Sequence, residues 1–418
     1  MTYTLKNCTI YTNKLFVRGN IIVEDGKICS IGEEERGIIY DLNGKLVAPS
    51  FIDPHIHTRE PGFTHKGSIK GESIAAAHGG YTKCYMMPNV NPAPSNKEVL
   101  EMINDIVKKE SVIDMHQIAS ITYDQTGKGH TLSDMEEIGD LCVGYSDDGN
   151  GVVESTTMYN AMLNCKKLSK PLISHCEDKP MVMGGVVVTG EYGKLNNLPM
   201  IDPVSEAIEV TRNCLLAYKT GCHLHICHLS SIDSVDIIRF YQRKGAHITC
   251  EVTPHQLTLT DMDIKDANFK MNPPLSTNET SEKLLAALKE GVISCIATDH
   301  APHADNEKAL GLLKAPFGII GLETCFGVLY TDLVLTDKLE LSFVLDSLSE
   351  NVSKAFGLKS HKIKVGNDAN LVVIDLDSEY KVTREFLLSK SKNTPYLDKT
   401  LKGEIVMTIK GGEIVYGK

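Results

Sequence analysis

No tract of lysine or arginine occurs in this chain of 418 residues, and its formal net charge is −11. Nucleic acid and anionic membrane surfaces are therefore poor partners for it. No window has the length and apolarity of a membrane span, and Met1 to Ile10 lack a secretory pattern. The expected location is the cytoplasm. The twelve cysteines form no Cys-x-x-Cys pair. Cys84, Cys227, Cys250 and Cys295 lie in apolar strand-like runs, as reduced core thiols in a reducing compartment would. A glycine-rich dinucleotide fingerprint after the first barrel-type strand is also missing. No internal repeat or low-complexity segment stands out.

What is present begins with length. A chain of 418 residues exceeds one simple core and points to two domains, or one large domain with an appendage. A hydrophobic content of 42% is ordinary for a globular protein. The first 46 residues are short β runs broken by turns, such as Ile21–Val23 before Glu-Asp-Gly and Lys27–Ile31 before Gly32. The C-terminal end looks alike, with Ala369–Ile374 and Ile405–Lys410. Hairpins of this kind are marginal alone. The economical solution is a small β domain, a sandwich, built from 1–46 together with 361–418.

The middle, 47–360, alternates strand-like and helix-like stretches. Eight strands are expected: Leu46–Ile52, Thr82–Met87, Val112–Ile118, Leu141–Tyr145, Pro171–Ser174, His223–Cys227, Ala246–Val252 and Val292–Thr298. Helical patterns over Asn96–Lys109, Thr156–Leu168, Pro203–Tyr218, Ser231–Arg243 and Ser281–Lys289 separate them. Alternation of this kind implies a parallel sheet with crossover helices. Eight units in this length predict a (β/α)8 TIM-like barrel, with a doubly wound open sheet as the alternative.

In such a barrel, catalytic side chains sit at the C-terminal strand ends. The first predicted strand ends in Asp53-Pro-His55-Ile-His57-Thr-Arg59. Side chains two apart share a face, so His55 and His57 can grip one metal ion, and Arg59 can hold a carboxylate beside it. The second ends in Met87-Pro88-Asn89, and the fourth in Ser146-Asp147-Asp148-Gly149. The fifth, sixth and eighth end in His175-Cys176-Glu177-Asp178, His228-Leu229-Ser230 and Thr298-Asp299-His300. Helix caps alone do not explain so many His, Asp, Asn and Arg at one rim. Two His, an Asp, two further His and an Asp exceed what one tetrahedral zinc needs, which suggests two metals with a shared oxygen ligand. Asp147 and Asp148 compete for that role. His223, His225 and His228 compete on strand six, where the first two alternate inside the strand and the third sits at its exit.

These segments, with Glu-Val-Thr-Pro-His (251–255), Lys-Met-Asn-Pro-Pro-Leu (270–275) and Ala-Thr-Asp-His-Ala-Pro-His (297–303), stand in one order along nearly the whole chain. In that order they resemble the bacterial dihydroorotases that use an aspartate metal bridge, within the amidohydrolase superfamily. The resemblance implies one or two Zn2+, with two favoured. His55 and His57 match ligands of the first metal, Asp148 the bridge, and His175 and His228 ligands of the second. Asp299 matches a ligand that also accepts and donates the proton. Arg59, Asn89 and His303 match a substrate-carboxylate clamp. Asn272, with the backbone near Phe317 and Gly318, matches the ring pocket, and His57 borders the substrate. Family spacing to His175 favours Asp148 over Asp147. Departures are Thr58, Gln256 and Ser276, none of them a proposed ligand. Strand four carries no lysine where other superfamily branches place a carboxylated one, which counts against a hydantoinase or allantoinase.

The implied reaction is reversible cyclisation of N-carbamoyl-L-aspartate to dihydroorotate with loss of water, by a metal-activated hydroxide and an Asp299 proton shuttle. The alternatives are another cyclic amidohydrolase, or a non-catalytic scaffold for a pyrimidine enzyme. The implied partners are the small-molecule substrate and, for assembly, a second copy or another enzyme of that pathway.

Overall fold

A computed structural model describes residues 1–418. The chain opens with strands β1 (Thr2–Thr12), β2 (Leu15–Glu24), β3 (Lys27–Gly32), β4 (Ile38–Asp41) and β5 (Leu46–Pro49). Next come β6 (Phe51–Ile56), β7 (Tyr81–Met86), β8 (Asp114–Gln117), β9 (Leu172–Ser174) and the two-residue β10 (Val187–Val188) and β11 (Met200–Ile201). The parallel set continues with β12 (Leu224–Ile226), β13 (Ile248–Val252) and β14 (Cys295–Ile296). The chain ends with β15 (Leu371–Lys381), β16 (Thr400–Lys410) and β17 (Glu413–Gly417).

Both termini share one sheet, in the order β17-β16-β15-β5-β1-β2-β3, with β4 paired to β1. Here β5 is the joint, parallel to β1 and antiparallel to β15. Period-2 alternation explains why it reads as an unbroken apolar run. Val47, Leu371 and Val373 point into the core of the terminal sheet, with Leu5, Ile21 and Ile409. Leu46, Ala48, Val372 and Ile374 point the other way, into the large core that contains the middle segment. Two strands thus wall off two cores.

The expected first strand, Leu46–Ile52, is therefore two strands. The break is Ser50, whose N–H donates to Asn370 O, while that of Phe51 donates to Gly80 O as the chain joins the parallel set. That set runs β6-β7-β8 and β14-β13-β12-β9. Parallel bridges Ala119–Tyr145 and Tyr145–Leu172 connect β8 to β9, and Ile56–His300 connects the end of β14 to β6. The predicted strand Leu141–Tyr145 is shorter: Gly139–Leu141 is a helical turn, and pairing begins at Val143, whose N–H donates to Gln117 O, continues at Gly144 O, which accepts from Ala119, and gives bridges only at Tyr145. Gly144, with no side chain to pack, weakens the segment and leaves it an irregular link between β8 and β9.

Helices Ile69–His78, Lys97–Glu110, Ser155–Leu168, Val204–Thr220, Ile232–Arg243 and Asn278–Glu290 lie between strands. Their starts are legible in side chains: Ser68, Asn96 and Thr277 accept from Gly71, Val99 and Thr280 N–H groups. No helix is long and apolar enough to cross a membrane. All twelve cysteines are free thiols.

Candidate active site

The ends of β6, β9, β12 and β14 and the Tyr145 segment bring His55, His57, Asp148, His175, His228 and Asp299 together, all buried. Three sets lie close enough to hold a cation: His55–His57–Asp299, Asp148–His175–His228, and His55–Asp148–Cys227. His55 Nε2 is 3.3 Å from Asp299 Oδ1 and 3.5 Å from Asp148 Oδ1. His57 Nε2 is 3.1 Å from Asp299 Oδ1 and 3.6 Å from Asp148 Oδ2. His175 Nδ1 and His228 Nε2 are 2.9 Å apart, and 3.8 and 3.9 Å from Asp148 Oδ1. Ligands about 2.0–2.2 Å from a tetrahedral zinc are separated by about 3.3–3.6 Å, so these spacings suit a shared ion. His55 Nε2 and Asp148 Oδ1 are buried with no hydrogen-bond partner, a state that costs free energy unless a cation satisfies them.

The electrostatics agree. Burial opposes a proton on His55, yet Cys227, Asp299, Glu251 and Asp148 raise its pKa well above the ordinary value. A potential that strongly holds a proton there also favours a metal cation. Burial raises the Asp299 carboxyl and, with Arg59 nearby, depresses His57 well below its usual value. Burial also favours neutral Asp148, but His55, His57, His175 and the Asn89 amide outweigh it and hold the carboxyl low.

Both open alternatives separate by placement. Asp147 is spent on backbone: it accepts from Ile121 and Thr122 N–H and from the Thr122 hydroxyl. Asp148 alone of the pair faces the histidines. His223 stacks on His247 and bonds Thr249, and His225 bonds Thr249 and Glu251; His228 reaches the cluster.

A cavity of about 540 Å³ opens on this cluster. His57, Arg59, Asn89, Asp148, His175, His228, Asn272, Asp299, His303, Phe317 and Gly318 all line it, so every residue that the family resemblance matches to a metal or substrate role borders it except the fully buried His55. Arg59 Nε donates to Pro302 O at 3.1 Å, and its Nη2 lies 3.3 Å from His303 Nε2. Burial lowers the guanidinium only to about 10, so it is charged at neutral pH. Asn89 donates to Asp148 O at 2.6 Å, and Asn272 to Glu177 Oε1 at 3.0 Å. Arg59, His228 and Asp299 have φ of +66°, +31° and +50°. A non-glycine residue held there costs about 1–3 kcal/mol, and such strain concentrates where function fixes a side chain.

Several supporting residues have no role assigned by the sequence alone. Glu251, fully buried in β13, takes His55 Nδ1 at 2.7 Å and His225 Nε2 at 3.0 Å. Asp53 accepts from the N–H groups of His55 and Thr298, tying the first and last parallel strands together. On the helix Val204–Thr220, Glu206 accepts from Ser230 and Ser231, and Glu209 from the N–H of Glu177. Acidic residues three apart on an otherwise buried helix face were the available signal. His300 serves structure: its Nε2 bonds Glu72 and its Nδ1 accepts from Gly321.

Comparisons with known proteins follow the same lines. A dihydro-orotase-like family model matches residues 44–234. The dihydroorotase of Fusobacterium nucleatum is 41% identical over 99% of this chain and 98% of that protein. Those of Bacillus cytotoxicus and Macrococcus caseolyticus are 39% and 40% identical, each over 100% of this chain and 99% of the relative. Among solved structures, the L-hydantoinase (dihydropyrimidinase) of Arthrobacter aurescens superposes with a TM-score of 0.87 at 23% identity, over 99% of this chain and 96% of that one. A D-hydantoinase gives 0.86 at 25% identity, over 100% and 95%. The structural likeness is one of fold.

Proposed function

Because the chain belongs to the dihydroorotase family, we propose that it interconverts N-carbamoyl-L-aspartate and (S)-dihydroorotate plus water, a step of de novo pyrimidine (UMP) synthesis. One observation carries this reading: a buried imidazole–carboxylate cluster shares a cavity with a half-buried, charged Arg59.

His55, His57 and Asp299 would hold one cation, His175 and His228 a second, and Asp148 would serve both. Two Zn2+ fit the all-His/Asp donor set. Zinc so held would supply Lewis acidity and a water nucleophile usable at neutral pH. In the hydrolytic direction a C–O bond forms at the ring amide carbon and the C–N bond breaks. Asp299 takes the proton from the attacking water and returns it to the departing nitrogen, whose charge would otherwise make it a poor leaving group. In cyclisation the same carboxylate takes the ureido N–H proton and delivers it to the departing oxygen. Arg59, Asn89 and His303 hold the substrate carboxylate, spending remote binding energy on orientation. Asn272 and the Phe317–Gly318 backbone receive the ring beside His57. The circuit of parallel pairing from β6 round to His300 supports a closed (β/α)8 barrel within 47–360, with 1–46 and 361–418 as the terminal β domain, which β5 joins, and the composition suits a cytoplasmic enzyme.

Glu251 fixes the His55 tautomer that leaves Nε2 free for metal. Glu251→Gln should weaken metal affinity about 10–100-fold, the usual effect of losing such a support. Competition against a chelator measures it, and unchanged affinity would remove this role from Glu251.

Assay of the purified protein on dihydroorotate, dihydrouracil, hydantoin and allantoin tests the reading. Turnover should be confined to, or strongly favour, the carboxylate-bearing ring. Preference for a neutral ring would instead favour a hydantoinase-like activity.

A further inference from the structure

Lys308 is a buried cation without an anion. It ends the helical turn Asp305–Lys308, is 6% exposed, and has no carboxylate within ion-pair distance. Its Nζ donates instead to three main-chain carbonyls: Lys270 O at 3.1 Å, Pro316 O at 3.1 Å and Gly318 O at 2.9 Å. An ammonium has three N–H donors, and here each has one acceptor.

Those carbonyls belong to the two segments that wall the ring side of the cavity. Lys270 lies two residues before Asn272 and also receives the Gly318 N–H at 3.0 Å. The remaining carbonyl between Pro316 and Gly318, that of Phe317, takes His303 Nε2 at 2.8 Å. Asn393 donates to Gly318 O and Ala301 O, both at 3.0 Å. The fit is close. At Gly318, whose φ is +136°, a Cβ would lie 3.0 Å from the His303 ring and 2.9 Å from the Ala301 side chain. Carbonyl dipoles that converge on one point repel unless a cation sits among them. Lys308 is that cation, and it does not itself line the cavity.

We propose that Lys308 is a positioning residue that sets the ring pocket by clamping the Lys270–Asn272 segment onto Pro316–Gly318. This rests on the dihydroorotase reading of the same cavity. Burial and neighbouring Lys270 push the Lys308 ammonium down to about 7, against Asp266 and Glu307, whereas the three carbonyls favour its protonated, three-donor form.

Lys308→Met removes all three donors, and Lys308→Gln keeps two. Each is assayed below its own melting temperature, with metal content measured. Lys308→Met should raise the dihydroorotate KM about tenfold or more, because carbonyls that lose their donor no longer hold the wall. Its kcat should stay within about threefold and its metal content should be unchanged. Lys308→Gln should fall between the two. An unchanged KM in Lys308→Met, or parallel loss of kcat and metal, overturns the proposal. Wild-type protein that turns over neither dihydroorotate nor carbamoyl aspartate would instead remove the underlying reading.

Discussion

Asp299→Asn should lower kcat by about 10²–10⁴-fold, the range contributed by a positioned general acid–base group. The asparagine keeps the shape but cannot carry the proton between water and amide nitrogen. It also donates poorly to a cation, so the loss should lie at the upper end of that range. Folding should be spared. Asp299 is buried, its carboxyl is raised by that burial, and Asp148 adds like charge. Removing the charge therefore relieves repulsion in the metal-free protein. Measured together, kcat should collapse while the melting temperature holds or rises. A variant turning over within a few-fold of wild type would assign the shuttle to another group.

Arg59→Met should lower kcat/KM for dihydroorotate by about 10²–10³-fold, the 3–4 kcal/mol typical of a desolvated charge pair that loses one partner. The loss should fall mainly on KM, with some on kcat, because remote binding energy also orients the reacting bond. Arg59→Lys should recover only part of it, since one ammonium cannot replace the guanidinium fork. Backbone strain is no confounder: at φ +66° arginine, methionine and lysine are strained alike. Any residual turnover of a ring without a carboxylate should be unaffected. Equal losses on both ring types would mean that Arg59 supports the site's shape rather than the substrate's charge.

The parts of this site that sequence reveals are those with local grammar. His55 and His57 are one strand step apart, and helix starts carry Ser, Asn or Thr caps. What local pattern could not supply was the partner. Asp147 and Asp148 are identical by type and differ only in that Thr122, from another segment, occupies the first. Glu251 looks like one polar residue in a strand until His55, nearly 200 positions away, arrives beside it. Lys308 looks like a surface lysine on a short helical turn; its role depends on carbonyls, which carry no sequence signature. The strand reading erred in the same way. Leu46–Ile52 is one apolar run, and only the three-dimensional path at Ser50 divides it between two sheets. Leu141–Tyr145 has strand composition, but a helical turn takes its first residue and only Val143–Tyr145 pair.

The most direct measurement is metal content per chain read alongside dihydroorotate hydrolysis, on protein stripped with chelator and titrated with Zn2+. Stripped protein should be folded and inactive, and activity should return as up to two equivalents bind. Full turnover without metal, or a zinc-loaded protein inert toward dihydroorotate and carbamoyl aspartate, would contradict the account.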